Sequence, residues 1–134
     1  IDFKEQNIRK NLNFGHTIGH AIESLFLQQD NIIPHGEAVA IGMICETHLA
    51  SSLNLIDDNT TNIIIKNIQK HFPYIAIESF KNEDIIALMQ NDKKNVNGEI
   101  SFSLIDKIGH CLYDQKVEIN QINTTLDFYR ALIS

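Results

Sequence analysis

Three histidines near the start of the sequence have the residue type and spacing for metal or acid–base chemistry. His16 and His20 are four residues apart, so on a helix both imidazoles project from one face, with Cβ atoms roughly 6 Å apart. Two such imidazoles can share a metal ion, or one can bind the metal while the other transfers a proton. His35 stands at the expected start of a second helix, and it reaches the pair only if antiparallel packing folds the loop back by one or two turns.

A plain structural role for these histidines also stays open, because a pair at this spacing often occurs without a metal. Two histidines fall one short of the three protein ligands of a usual catalytic zinc site. No Asp or Glu is placed so that it must complete the set. Glu23 and Glu37 are interpreted as helix-surface residues or as carboxylates that support a ligand from behind. The remaining histidines are interpreted as structural or surface residues: His48, His71 and His110.

Side chains that could hold an anion lie on both sides of the histidines. Arg9 and Asn13 are four residues apart, and on a helix that extends back this far they could contact an oxyanion or a hydroxyl. Lys93 and Lys94 follow the fourth expected helix. A lysine pair is usually solvated, but in a chain with a net charge of −6 a bound anion would need such local cations.

Glycines recur beside the histidines in both of the first two helices. Each glycine inside a helix costs up to about 1 kcal/mol relative to alanine, so their presence indicates either close helix packing or access for a ligand. The sequence leaves these two interpretations open. The residues are Gly15, Gly19, Gly36 and Gly42.

The elements that must position these residues are mostly helical. Apolar residues recur at helical spacing in five segments, and an alternating pattern after residue 99 predicts one short β-hairpin. The fold class is therefore a mainly α, helical bundle-like domain with one hairpin. The predicted helices are 12–28 (with Asn11 or Asn13 as N-cap), 34–53, one from 57–59 to just before Pro73, one from Asn82 or Glu83, and one from about Asn120, with the hairpin at 95–118.

Composition bounds the class of protein. The chain has 134 residues, of which 43% are hydrophobic and 21% charged, which is typical of one globular domain. A net charge of −6 without a basic run argues against a nucleic-acid partner. No apolar run approaches the roughly 18 residues that span a bilayer, and charges throughout the first twenty residues argue against a signal peptide. Two cysteines, Cys45 and Cys111, are too few for a disulfide framework, so we expect reduced thiols and a cytoplasmic location.

Three strings in a fixed order resemble the 3-dehydroquinate synthase family. They are RKNLNFGHTIGHAIE at residues 9–23, HGEAVAIGM at residues 35–43 and DKK at residues 92–94. The resemblance covers essentially the whole chain, but it matches only the family's C-terminal, mostly α-helical domain. It implies that the N-terminal nucleotide-binding domain is absent, and a first residue of Ile instead of Met likewise leads us to expect a piece of a longer protein.

The resemblance implies a step of the shikimate pathway of aromatic amino acid biosynthesis. In that reaction 3-deoxy-D-arabino-heptulosonate 7-phosphate becomes 3-dehydroquinate and phosphate, with NAD and a divalent metal, zinc or cobalt. NAD would be bound mainly by the missing domain, since this chain has no glycine-rich dinucleotide loop. We therefore expect the chain alone to be inactive and the complete enzyme to be a homodimer. Another sugar-phosphate cyclase, or a metal-dependent polyol dehydrogenase of similar architecture, is the alternative.

Roles for individual residues follow from the same resemblance, by motif position. It implies that His16 and His35 bind the metal and that a Glu from the missing domain is the third ligand. His20 would take part in proton transfer on the substrate or phosphate side. Substrate contacts are implied for Arg9, Asn13 and one lysine of the pair Lys93 and Lys94.

Overall fold

The computed structural model describes residues 14–92 and 99–132, and only the backbone of Asp92. Within these ranges the chain forms five helices and one antiparallel two-stranded sheet, which confirms the predicted fold class. None of the described helices combines the length and apolar character that a membrane crossing requires. In chain order the elements are α1 His16–Gln28, α2 His35–Ser52, α3 Asp58–His71, α4 Asn82–Asp92, β1 Glu99–Lys107, β2 His110–Glu118 and α5 Ile119–Arg130.

Helix α2 forms the centre of the molecule. Helices α1, α3 and α5 and strand β1 all pack against it, so it is buried around most of its circumference. Helix α1 instead buries one face, which the apolar spacing of the sequence predicts. The buried residues of that face are Ile18, Gly19, Ala21, Ile22, Leu25 and Phe26.

The β-hairpin covers one side of the core. Ile100, Phe102 and Leu104 alternate with more exposed residues along β1, and their side chains are buried. In the ladder Ile100 lies opposite Val117, which is also buried. The alternation therefore places one face of the hairpin in the core, as period-two patterning predicts.

Local chemistry explains where α3 begins. Asp57 is its N-cap, and Oδ1 of Asp57 accepts a hydrogen bond from the Thr60 backbone N–H at 2.7 Å. This bond lowers the pKa of the Asp57 carboxyl below its ordinary value. An acceptor at this position was expected from the Asp and Asn residues at 57–59.

The predicted start of the first helix at Leu12 is wrong. Phe14 and Gly15 form a turn, and α1 begins at His16, because Gly15 has a positive φ of 84° that does not belong to a right-handed helix. The proposed caps Asn11 and Asn13 lie outside the described residues. Pro34 precedes the second helix instead of opening it, since its ψ of 139° is extended and α2 begins at His35.

Both cysteines are free and buried, as their number led us to expect. Burial raises the pKa of the Cys111 thiol to about 11. Burial also raises the pKa of the Cys45 thiol well above its ordinary value. Neither side chain therefore forms much thiolate at neutral pH.

Candidate metal centre

The structure brings His16, His20 and His35 together. The ring centroids of His16 and His20 are 5.4 Å apart, those of His16 and His35 are 5.6 Å apart, and those of His20 and His35 are 6.0 Å apart. One ligand atom from each ring lies within 4.8 Å of the other two. The sequence predicted that His35 approaches the pair only if the loop between the first two helices folds back, and the structure confirms this approach.

Three contacts between α1 and α2 explain how His35 reaches the pair. Backbone at Gly15 meets Gly42, and backbone at Gly19 meets Ala38. Residues 23 and 35 are joined by a side-chain contact. Along these three contacts the residue number rises on the α1 side and falls on the α2 side, so the two helices are antiparallel. Helix α1 then runs past the start of α2 by more than one turn, and the loop at 29–34 folds back over that distance.

The glycines at this crossing have a packing role. A Cβ on Gly42 would lie 1.9 Å from the Gly15 carbonyl oxygen, and one on Gly19 would lie 3.0 Å from the Ala38 carbonyl oxygen. Gly42 therefore has no room for a side chain, whereas a Cβ at Gly19 would require a small shift of the Ala38 backbone, so both glycines favour the close approach of the two helices. Gly36 differs, since its nearest neighbour would be the Phe72 ring at 3.8 Å, and it takes no part in the crossing.

Two of the three rings are held through Nδ1. His35 Nδ1 lies 2.9 Å from Oε1 of Glu23, which supports the interpretation of Glu23 as a carboxylate behind a ligand. His16 Nδ1 lies 3.3 Å from the carbonyl oxygen of Phe14. When Nδ1 donates a hydrogen, the lone pair of Nε2 is left to bind a metal. A carboxylate or carbonyl behind a ligand histidine is the usual arrangement in metal sites.

The donor set and its exposure fit a divalent transition metal. Imidazole nitrogen suits zinc and its neighbours. Two nitrogens on a tetrahedral zinc with bonds of about 2.0–2.1 Å are roughly 3.4 Å apart, a separation that falls within the 4.8 Å limit of the three ligand atoms. His16 is half-buried, whereas His20 and His35 are exposed. The cluster therefore faces solvent on one side, where a further ligand could enter.

Glu46 contacts the start of α1 but belongs to none of the sequence motifs. Its side chain is fully buried in the middle of α2. The carboxylate accepts hydrogen bonds from the backbone N–H groups of Gly15 and Ile18, at 2.8 and 3.0 Å. One signal could have revealed it, since an acidic residue within the apolar run from Ile41 to Ala50 must have a partner.

Several expected site residues cannot be placed. Arg9, Asn13, Lys93 and Lys94 lie outside the described residues, and their expected substrate contacts stay predictions. Glu37 lies in the first turn of α2.

The other three histidines lie in separate environments, as expected. His48 Nδ1 lies 3.0 Å from the Thr125 hydroxyl oxygen. His71 Nδ1 contacts the carbonyl oxygen of Asn67 at 2.9 Å, and His110 Nδ1 contacts Oδ1 of Asp106 at 2.6 Å. These contacts are consistent with structural or surface roles for the three histidines.

Comparison with known proteins identifies the family. A sequence model described as 3-dehydroquinate synthase C-terminal matches residues 1–95. The chain belongs to this family. Among curated members, the 3-dehydroquinate synthase of Parabacteroides distasonis is 40% identical over 129 residues, which cover 96% of this chain and 36% of the relative. That of Thermoanaerobacter pseudethanolicus is 43% identical over 109 residues, covering 81% and 30%. The chain thus spans about a third of the length of these family members.

Solved structures share the fold of this family member. The 2-epi-5-epi-valiolone synthase of Streptomyces hygroscopicus subsp. jinggangensis, with NAD+ and Zn2+ bound, matches with a TM-score of 0.72 at 21% identity, over 89% of this chain and 32% of that one. A 2-deoxy-scyllo-inosose synthase complexed with carbaglucose-6-phosphate, NAD+ and Co2+ matches with a TM-score of 0.69 at 24% identity, with the same coverage. At these identities the likeness establishes the fold alone.

Proposed function

We propose that this chain is the metal- and substrate-binding C-terminal domain of a two-domain 3-dehydroquinate synthase. The complete enzyme would convert 3-deoxy-D-arabino-heptulosonate 7-phosphate into 3-dehydroquinate and phosphate, with NAD held mainly by an N-terminal domain. Membership of the family supports this proposal. The single observation that carries it is the convergence of His16, His20 and His35 within 4.8 Å.

His16 and His35 would hold the metal, together with a Glu from the N-terminal domain. Support comes from their Nδ1 atoms, which lie against the Phe14 carbonyl and the Glu23 carboxylate and so leave Nε2 for the metal. A bound zinc or cobalt ion would act as a Lewis acid toward a substrate oxygen. Two proteins of the same fold were solved with Zn2+ or Co2+ and with NAD+.

His20 would hold or transfer a proton at the substrate. Its ring lies one helical turn beyond His16, at 5.4 Å, and it is more exposed than that of His16. This position lets it reach a molecule that lies against the open side of the cluster. Imidazole is also the side chain that changes its protonation state most readily near neutral pH.

The substrate's anionic groups would be bound by residues from the two ends of the motif set. Arg9, Asn13 and one of Lys93 and Lys94 are proposed for this role. Support comes from the acidic character of the chain, which has 17 acidic and 11 basic residues, so an anion needs specific local cations. An N-terminal domain closing over the exposed histidines would complete the site and exclude water from it.

A chimera tests this proposal. The C-terminal third of the Parabacteroides distasonis enzyme is replaced by this chain, and phosphate release from 3-deoxy-D-arabino-heptulosonate 7-phosphate is measured with NAD+ and Zn2+ or Co2+. We expect activity in the chimera and none in the 134-residue chain alone. Substitution of His16 by alanine should abolish activity, whereas His71→Ala, an exposed histidine elsewhere, should leave it intact.

Two results would contradict the proposal in different ways. A folded, metal-loaded chimera that releases phosphate only from another sugar phosphate would identify a different cyclase. Net reduction of NAD+ by a polyol, without release of phosphate, would instead identify a dehydrogenase. Both measurements use the same preparation and cofactors.

A further inference from the structure

The N-terminus of α1, where His16 lies, is not capped by the side chain of its own N-cap residue. The first backbone N–H groups of a helix have no partner within the helix and need an acceptor from elsewhere. Gly15 is the N-cap residue and has no side chain to offer. A larger residue does not fit there, because a Cβ would lie 2.5 Å from the Met43 side chain and 2.9 Å from the Val39 carbonyl oxygen.

Glu46 supplies the missing acceptor from α2. Its Oε1 accepts from the Gly15 N–H at 2.8 Å and its Oε2 from the Ile18 N–H at 3.0 Å, with the side chain fully buried. A carboxylate also interacts favourably with the positive end of the helix dipole. The two bonded amides flank His16 in the sequence, so the carboxylate fixes the backbone of His16 on both sides.

The same contact ties α1 to the helix that carries His35. Glu46 and His35 both lie on α2, eleven residues apart, which is about 16 Å along the helix axis. One turn before Glu46, Gly42 lies directly against the Gly15 backbone. The close packing at Gly42 and the two hydrogen bonds to Glu46 together fix the position of α1 along the axis of α2.

We propose that Glu46 is a positioning residue of the metal centre, which sets the place of His16 relative to His35 through the backbone of α1. The inference rests on the proposed function, in which these two histidines bind the metal. Removal of a partner that hydrogen-bonds a metal-ligating side chain typically lowers metal affinity by roughly 10–100-fold, and for Glu46, which holds the ligand's backbone, we expect the lower end of that range. A residue with a stability role alone would change the free energy of unfolding and leave metal affinity unaltered.

Titration of the chimera with Co2+, followed by visible absorption, tests this role. Glu46→Gln keeps the shape of the side chain but sets an amide NH2 against one of the two backbone N–H groups. Tyr129→Phe is the control, because it removes two other hydrogen bonds in the partly buried interior, at 2.8 and 3.1 Å to Ile75. We expect Glu46→Gln to bind Co2+ at least about tenfold more weakly, with a changed spectrum. Tyr129→Phe should match the wild-type affinity within about twofold.

His16→Ala, titrated in parallel, separates this inference from the proposed function. If His16→Ala gives the same Co2+ spectrum as the wild type, both the proposed function and this inference are overturned. A spectrum that depends on His16 but is unchanged in Glu46→Gln would overturn the role of Glu46 alone. An equal loss of affinity in Tyr129→Phe would do the same, since it would trace the effect to stability.

A second variant keeps the test decisive if circular dichroism shows that Glu46→Gln does not fold. Glu46→Asp retains the buried charge, but its side chain is one methylene shorter and cannot reach both amides. The expected loss of Co2+ affinity and the overturning results are the same as for Glu46→Gln.

Discussion

The carboxylate of Glu23 lies 2.9 Å from Nδ1 of His35, across the contact between α1 and α2. Glu23 follows His16 and His20 on α1 at positions i+7 and i+3, so all three lie on one face of that helix. The face that carries the histidine pair therefore also holds the ring of the third histidine. One helix surface thus organises the whole cluster.

Removal of the Glu23 carboxylate should weaken metal binding without unfolding the chain. Glu23→Ala leaves His35 Nδ1 without its partner, and we expect Co2+ affinity to fall by about tenfold or more. Glu23→Gln, whose amide oxygen can still accept from Nδ1, should lose less. The control is Glu78→Ala, which removes another exposed carboxylate with a hydrogen bond, at 3.1 Å from the Tyr74 hydroxyl. Equal Co2+ affinity in Glu23→Ala and Glu78→Ala would show that the contact does not support the site.

The three histidines should respond differently to substitution. In the chimera we expect His16→Ala and His35→Ala to lose metal and activity together, because each removes a proposed ligand. His20→Ala should keep stoichiometric metal and lose rate. The metal content of purified protein, measured by mass spectrometry, and phosphate release check this difference. Loss of metal from His20→Ala would instead make His20 a ligand.

Local patterns predicted the elements and the histidine pair well, for physical reasons. Helical spacing depends on residues three and four apart, so the buried face of α1 and the pairing of His16 with His20 can be seen in the sequence alone. The start of α1 was missed because the apolar spacing continues back to Leu12, whereas the positive φ of Gly15 is a property of the folded backbone.

Contacts between distant residues were harder to predict. The approach of His35 to the pair depends on how far the loop folds back, and that is set by the glycines packed between α1 and α2. Glu46 is 31 residues from Gly15, and no local pattern links them. A buried carboxylate needs a partner, but the sequence does not say which helix supplies it.

The same substitution at two glycines of α2 should have opposite effects on stability. In Gly42→Ala the new Cβ would lie 1.9 Å from the Gly15 carbonyl oxygen. Because this neighbour is backbone and cannot move aside easily, we expect the free energy of unfolding to fall by at least about 3 kcal/mol. In Gly36→Ala the nearest contact is 3.8 Å, so nothing clashes, and the higher helix propensity of alanine should raise the free energy of unfolding by up to about 0.5 kcal/mol in this first turn. Urea unfolding of both variants measures the difference. A stable Gly42→Ala would contradict the close helix crossing.

His48 links α2 to α5 in its neutral form. The Thr125 hydroxyl donates its one hydrogen to the Cys45 carbonyl at 2.7 Å, so it accepts from His48 Nδ1 at 3.0 Å. The imidazole ring also stacks on Phe128, with centroids 4.0 Å apart. Burial lowers the pKa of His48 below its ordinary value of 6.5, since a charged ring is disfavoured there.

This lowered pKa should make the stability of the chain depend on pH in one direction. Below about pH 6.5 the unfolded chain takes up a proton at His48 more readily than the folded chain, so acid favours unfolding. The contribution of neutral His48 is complete above that pH and is lost as the pH falls toward the lower folded-state pKa. In urea titrations between about pH 8 and pH 5, wild type should therefore lose stability more steeply than His48→Gln. Subtracting one curve from the other removes the contributions of the other titrating groups. Parallel curves would show that the burial of His48 does not make the stability depend on pH.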